Sequence, residues 1–242
     1  MPLNDRQKYL LGLGPNPEAV ADNTSANNDQ VRQFESNQAK LKALAQNLSD
    51  IGKSGRRGEL SNASQRIIAS ELPDIVKRAV VYLDAQGVSP EGAMAKVDNG
   101  YYRANALFKG IKVGDLGPFD TGSYVRDRGG SRINISNRNI ADSSAFGYLN
   151  KLPSSNAGDQ SPLRSLFHEI THSIDDDTNL GFFKDSNGDV YDEKSSEILA
   201  QLASLYYMAE NGGITKENYD IGLARIKKRI AKRQATRDKS KK

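Results

Sequence analysis

The chain has 242 residues, 37% of them hydrophobic, with two His and no Cys or Trp. No apolar run is long enough for a membrane helix or a secretory signal, and without Cys there is neither a disulfide framework nor a thiolate metal site. Net charge is +4, but ten Lys and Arg face Asp238 alone between Arg225 and Lys242, which leaves residues 1–224 at −5, so the basic character belongs to the tail.

These priors predict one sizeable domain with tails, made in the cytoplasm and monomeric. The lack of Cys is also compatible with export in unfolded form, by a route without a signal peptide, into a host cell. Residues 1–37 read as a flexible leader, because 14–37 are rich in Asn, Pro, Asp, Ser and Gln and poor in large apolar side chains. A single domain is expected over 38–224, with a helical front half at 38–110, a sheet and two site-bearing helices at 111–210, and a basic helix end and tail at 225–242.

In the front half, Leu41, Leu44, Ala45, Leu48 and Ile51 keep helical spacing up to Gly52. A second helical run from Leu60 carries Ile67, Ile68 and Leu72, and Pro73 is expected to break or kink it. Ile75, Val76, Ala79, Val80 and Leu83 continue the pattern to Gly87, and Ser89-Pro90-Glu91 starts a short further helix. Gly and Asp then punctuate three β-prone runs, Ile111–Val113, Ser123–Arg126 and Arg132–Ser136, the last two flanking a hairpin loop at Asp127-Arg128-Gly129-Gly130. Ile133 and Ile135 alternate with polar neighbours, so one face of that strand is buried. An edge strand here can offer its backbone N–H and C=O groups to an extended peptide.

The chemistry is concentrated in Ser161–Asp177. His168 and His172 are the only histidines of the chain, and at i and i+4 they lie about 40° apart on a helix, close enough to share one ion. Ser161 suits the N-cap and Pro162 the first helical position. Leu163, Leu166, Phe167, Ile170 and Ile174 form an apolar stripe centred opposite the histidines, which are therefore expected to face away from the core. After this helix Asn187-Gly188 signals a hairpin. The acidic residues around it do not make a calcium loop, since Val190 holds the glycine position and Ser196 that of the bidentate Glu. The run Glu193–Met208 predicts a helix with Glu193 and Glu197 on one face, so either can supply a third ligand; Glu197 is preferred because it lies deeper within the helix.

Two histidines and a glutamate leave the fourth position of a Zn2+ ion open to water, the arrangement of a catalytic rather than a structural site. Glu169, next to a ligand, is placed to take that water's proton, and the reaction expected is hydrolysis of a peptide bond in a protein or peptide substrate. Asp175 or Asp176 is a candidate to orient a ligand histidine.

His168-Glu169-Ile170-Thr171-His172 resembles the HExxH motif of zinc metallopeptidases. The metzincin branch is disfavoured, as Asp175 and Thr178 stand where it places Gly and a third ligand. HEITHSIDD followed by SSEILAQLASLYY resembles the glutamate-ligand, gluzincin-type branch, and in it the catalytic domain of anthrax lethal factor and related bacterial toxin and effector proteases, over about residues 161–208. The resemblance implies an α+β, zincin-like fold, mostly helical with a small mixed or antiparallel sheet. It also implies zinc on His168, His172 and Glu197, Glu169 as base, and a tyrosine shortly before the last ligand, Tyr191, stabilising the oxyanion. Tyr191 stands one residue nearer Glu197 than that pattern has it, and Gln201 replaces a usual second carboxylate. The rival readings are a non-catalytic zinc-binding module, which has no need of Glu169, and a nucleic-acid-binding module resting on the basic tail.

In the tail, Thr215 suits an N-cap, and Tyr219, Leu223, Ile226 and Ile230 predict a helix docked on the body by its apolar side. Its far end, with Lys227, Lys228, Arg229, Lys232 and Arg233, is expected to be solvated, with an exosite for an acidic substrate or anionic surface as the alternative.

Overall fold

The apolar stripes of the front half build two long helices that join the same core as the helix carrying the histidines. The structure, a computed structural model, describes residues 24–99, 110–116, 121–127, 130–136, 162–182 and 193–240. In chain order these form α1 (Thr24–Ser54), α2 (Asn62–Ala85), α3 (Ala93–Asp98), β1 (Lys112–Gly114), β2 (Gly122–Asp127), β3 (Gly130–Ser136), α4 (Pro162–Thr178), α5 (Glu193–Glu210) and α6 (Lys216–Ser240). The class is α+β, mostly helical, and the small sheet is mixed. No helix among the described residues is long and apolar enough to cross a membrane.

Two expectations for the front half change. Helix α1 begins at Thr24, inside the stretch read as leader. Its polar start is an extension of the buried stripe Leu41, Leu44, Leu48 and Ile51, because adding a residue to a formed helix is far easier than starting one. Asn37 ties that extension down by donating to the carbonyl of Glu210, 3.3 Å away at the end of α5. Pro73 does not break α2, which runs on to Ala85. The ring costs a helix interior about 3 kcal/mol, whereas each buried large aliphatic contributes about 1.5–3 kcal/mol. Ile68, Leu72, Ile75, Val76, Val80 and Leu83 are all buried on either side of it, so packing wins.

Strands β2 and β3 form the expected hairpin, antiparallel in register from Gly122 opposite Ile135 to Asp127 opposite Gly130. Strand β1 pairs with β3 in parallel, so the order is β1-β3-β2 and β2 is an edge. Val113, Ile133 and Ile135 point into the core, the alternation read from sequence. The hairpin expected around Asn187-Gly188 and the N-cap expected at Ser161 lie outside the described residues.

Helix α4 is the centre of the packing. It lies against α5 along most of its length and against β2 and β3 on another side. Phe167 of α4 stacks on Tyr207 of α5 with ring centroids 3.8 Å apart. Helix α6 packs on α5, where Gly222 lets the two backbones approach: a Cβ on Gly222 would meet Leu205 Cδ1 at 3.0 Å. Tyr219, Ile226 and Ile230 are buried there, and the backbone N–H of Asn218 donates to Thr215 Oγ1 at 3.3 Å, so stripe and cap are as the sequence predicts.

Candidate metal centre

Four residues apart on α4, His168 and His172 turn their Nε2 atoms to the same point, 3.1 Å from each other. Helix α5 crosses in front and brings Glu197 to that point, its carboxylate oxygens 3.3 Å from His168 Nε2 and 3.2 Å from His172 Nε2. These three side chains form a group able to hold a metal ion. Glu193, the other carboxylate considered, starts α5 one turn earlier. Tyr191 lies outside the described residues.

The histidines do not face away from the core. Almost every residue of α4 from Pro162 to Asp175 is buried, polar ones included, and the His172 side chain is only 9% exposed. A wheel of α4 alone shows where its apolar stripe points, and it leaves out α5 and β2, which cover the opposite face. Solvent reaches the group through its outer rim, where the side chains of His168 and Glu197 are 17% and 38% exposed.

A relay holds His172. Its Nδ1 lies 2.8 Å from Ser196 Oγ, and Ser196 in turn donates to Asp175 Oδ2 at 3.1 Å. With its hydroxyl proton committed to Asp175, Ser196 accepts from Nδ1–H, which leaves the Nε2 lone pair turned toward the ligand point. The backbone N–H of Phe182 fixes the other oxygen of Asp175 at 3.2 Å. Asp175 therefore orients a histidine as the sequence suggested, but through Ser196. Asp176 does something else: it accepts from Arg126 at 2.7 Å and from the Tyr124 hydroxyl at 3.0 Å, clamping β2 to the end of α4. Ser196 was not singled out from sequence, although its place beside Glu197 on α5 puts a hydroxyl within reach of the same imidazole.

Charge is arranged steeply across the group. Burial pushes the Glu197 carboxyl up, but hydrogen bonds from His168 and His172 outweigh it and hold it well below the usual carboxylate range. Burial lowers His172, and the hydrogen bond to Glu197 together with the charges of Glu169, Glu197 and Asp175 more than compensates, so the imidazole is raised. Asp175 is pushed up to about 6 by burial. Glu169 is buried beside the group and raised by that burial, while the two imidazoles pull the other way.

Glu169 is positioned from the sheet. The backbone N–H of Tyr124 donates to its carboxylate, and Gly122 of β2 lies against it so closely that a Cβ there would stand 2.8 Å from Oε1. The edge strand and the two histidines thus meet at one carboxylate. No protein family, no curated protein and no solved structure matches this chain.

Proposed function

We propose that this chain is a zinc-dependent endopeptidase with a zincin-like fold, in which His168, His172 and Glu197 hold the ion and Glu169 is the general base. The observation that carries the reading is the convergence of the three donors beside a buried fourth carboxylate. Ligands about 2.0–2.1 Å from a tetrahedral ion stand about 3.3 Å apart; the two Nε2 atoms here are 3.1 Å apart, and Glu197 sets Oε1 3.2 Å from His172 Nε2 and Oε2 3.3 Å from His168 Nε2. Two imidazoles and one carboxylate, with no thiolate, suit zinc with one position open. When bound there, zinc lowers the pKa of a water and polarises a carbonyl oxygen.

The residues of the chain supply the rest. Ser196 and Asp175 keep His172 in the tautomer that ligates through Nε2. Among the described residues β2 is an edge strand of the sheet, and the Tyr124 N–H points at Glu169, so an extended peptide laid along this edge passes the base. The Glu169 carboxylate takes a proton from the attacking water and passes it to the departing amine. Burial of Glu169 keeps competing solvent away from that transfer.

Glu169→Gln preserves shape but cannot accept the proton. It is expected to retain zinc, by elemental analysis after dialysis, while peptide hydrolysis followed by mass spectrometry falls by about 10²–10⁴-fold. Undiminished hydrolysis would overturn the assignment. Glu197→Ala should lower zinc affinity far more than Glu193→Ala, and the opposite order would transfer the third ligand to Glu193.

A further inference from the structure

Helix α4 ends on Asp175, Asp176 and Asp177, with no basic residue in its last turn. Negative charge at a helix C-terminus opposes the macrodipole, so the sequence breaks a local rule here and a group outside the helix has to compensate. Asp175 is engaged by Ser196 and the Phe182 amide. For the other two the compensation comes from β2. Arg126 Nη1 lies 2.7 Å from Asp176 Oδ2 and 3.5 Å from Asp177 Oδ1, and the Tyr124 hydroxyl donates to the same Asp176 oxygen at 3.0 Å. The Asp176 side chain is only 5% exposed. An enclosed ion pair adds little net stability over apolar packing of the same volume, but either partner alone would be left stranded, so the pair holds its two elements in one arrangement.

What that arrangement serves follows from the periods of strand and helix. Gly122, Tyr124 and Arg126 alternate along β2 and so lie on one face of the sheet, while Glu169 and Asp176 stand seven residues apart on one face of α4. These two faces meet twice. Gly122 lies against the Glu169 carboxylate and the Tyr124 N–H donates to it, and about 10 Å further along α4 Tyr124 and Arg126 hold Asp176. Tyr124 takes part at both ends, with its amide at one and its hydroxyl at the other. One contact would leave the strand free to turn about Glu169. Two contacts fix its angle to α4, and with it the place of the amide that holds the carboxylate.

We infer that Arg126, Tyr124 and Asp176 are positioning residues for Glu169, acting through the angle between β2 and α4, so that breaking this clamp displaces the carboxylate while the metal group stays loaded. The consequence for turnover rests on the peptidase reading and deepens it; the consequence for the strand does not depend on it.

The test uses the full chain carrying Arg126→Gln, Asp176→Asn or Tyr124→Phe, the last removing a single hydroxyl, with Lys112→Gln, an exposed cation on β1, as the control. Each clamp variant should lower kcat for peptide hydrolysis roughly tenfold with KM and zinc content unchanged, since a misplacement of about 1 Å can cost about 10²-fold. Lys112→Gln should match the unmutated chain. Arg126→Gln and Asp176→Asn combined should cost no more than the larger single change, because they break one contact. Amide exchange followed by NMR gives a second readout: the Tyr124 N–H should exchange several-fold faster in the clamp variants, while the N–H groups of Ser123 and Val125, turned toward β3, keep their rates. Equal acceleration of all three would make the clamp a support of the sheet and overturn the inference, and so would an unchanged Tyr124 rate. If the Tyr124 amide alone is released but the unmutated chain hydrolyses no peptide, the positioning of Glu169 stands and the peptidase reading falls. If peptides are cut at the same kcat by every variant, the peptidase reading stands and the positioning role falls.

Discussion

Helices α4 and α6 both pack on α5, and they use their polar residues in opposite ways. Helix α6 obeys its stripe: Tyr219, Ile226 and Ile230 go in, and Lys227, Lys228 and Arg229 stay out. Helix α4 has a stripe of its own, yet His172, Asp175, Glu169, Thr171 and Ser173 are buried as well. Burying polar groups costs free energy unless each finds a partner, and α4 meets most of that cost with the Ser196 relay, the Phe182 and Tyr124 amides, the Glu197 carboxylate and the Thr171 hydroxyl's bond to the Phe167 carbonyl, whereas the Ser165 and Ser173 hydroxyls are buried without a partner. A helix whose polar face is enclosed holds its side chains at fixed positions, while one whose polar face is open is fixed by its apolar side alone.

Substitutions separate the two helices most sharply through stability. Phe167→Ala on α4 removes the ring stacked on Tyr207 and should cost about 3–5 kcal/mol in urea denaturation, whereas Lys227→Ala on the open face of α6 should stay within about 0.5 kcal/mol. Similar costs at the two positions would erase the contrast.

The next largest effect is one of pH, in metal-free protein. Asp175 keeps its proton to about 6 when folded and loses it near about 3.9 when unfolded. Because the folded state binds the extra proton, the stability it contributes is complete below the unfolded value and is lost as pH rises through about 6, a change of roughly 3 kcal/mol. Comparing denaturation of wild type and Asp175→Asn across this window isolates the term, and matching pH profiles would remove Asp175 from the account.

Ser196→Ala should lower zinc affinity by about 10–100-fold in competition with a chelating dye, since the His172 Nδ1 loses the acceptor that fixes its tautomer. Unaltered affinity would make the enclosed polar face of α4 a matter of packing alone. The smallest effect belongs to α6, where Thr215→Ala removes the cap on Asn218 N–H and should cost about 1 kcal/mol of thermal stability.

The grouping of His168, His172 and Glu197 was legible because helical spacing relates His168 to His172 without any tertiary information, and because Glu197 sits inside a strongly apolar run. The hairpin β2–β3 and the docking stripe of α6 were legible for the same local reason. What failed depended on partners distant in sequence. The enclosure of the histidines comes from α5 and β2, the continuity of α2 through Pro73 from the core on either side of it, and the start of α1 at Thr24 from a stripe that begins at Leu41. Ser196 shares that origin, since it acquires its role only when α4 and α5 cross.

Gly122 carries no ligand and no charge, and yet it governs where Glu169 can be. A methyl group at 122 would lie 2.8 Å from Oε1 and 3.1 Å from Cγ of that glutamate, and the buried side chain would have to leave the place where the Tyr124 amide holds it. The strand and Glu169 are thus locked by shape as well as by hydrogen bonding, and over evolutionary time position 122 would be confined to glycine by a residue 47 places away in the sequence. If Glu169 is the base proposed above, alanine there would disarm it while leaving the donors of the metal group untouched, an off state written into the sheet.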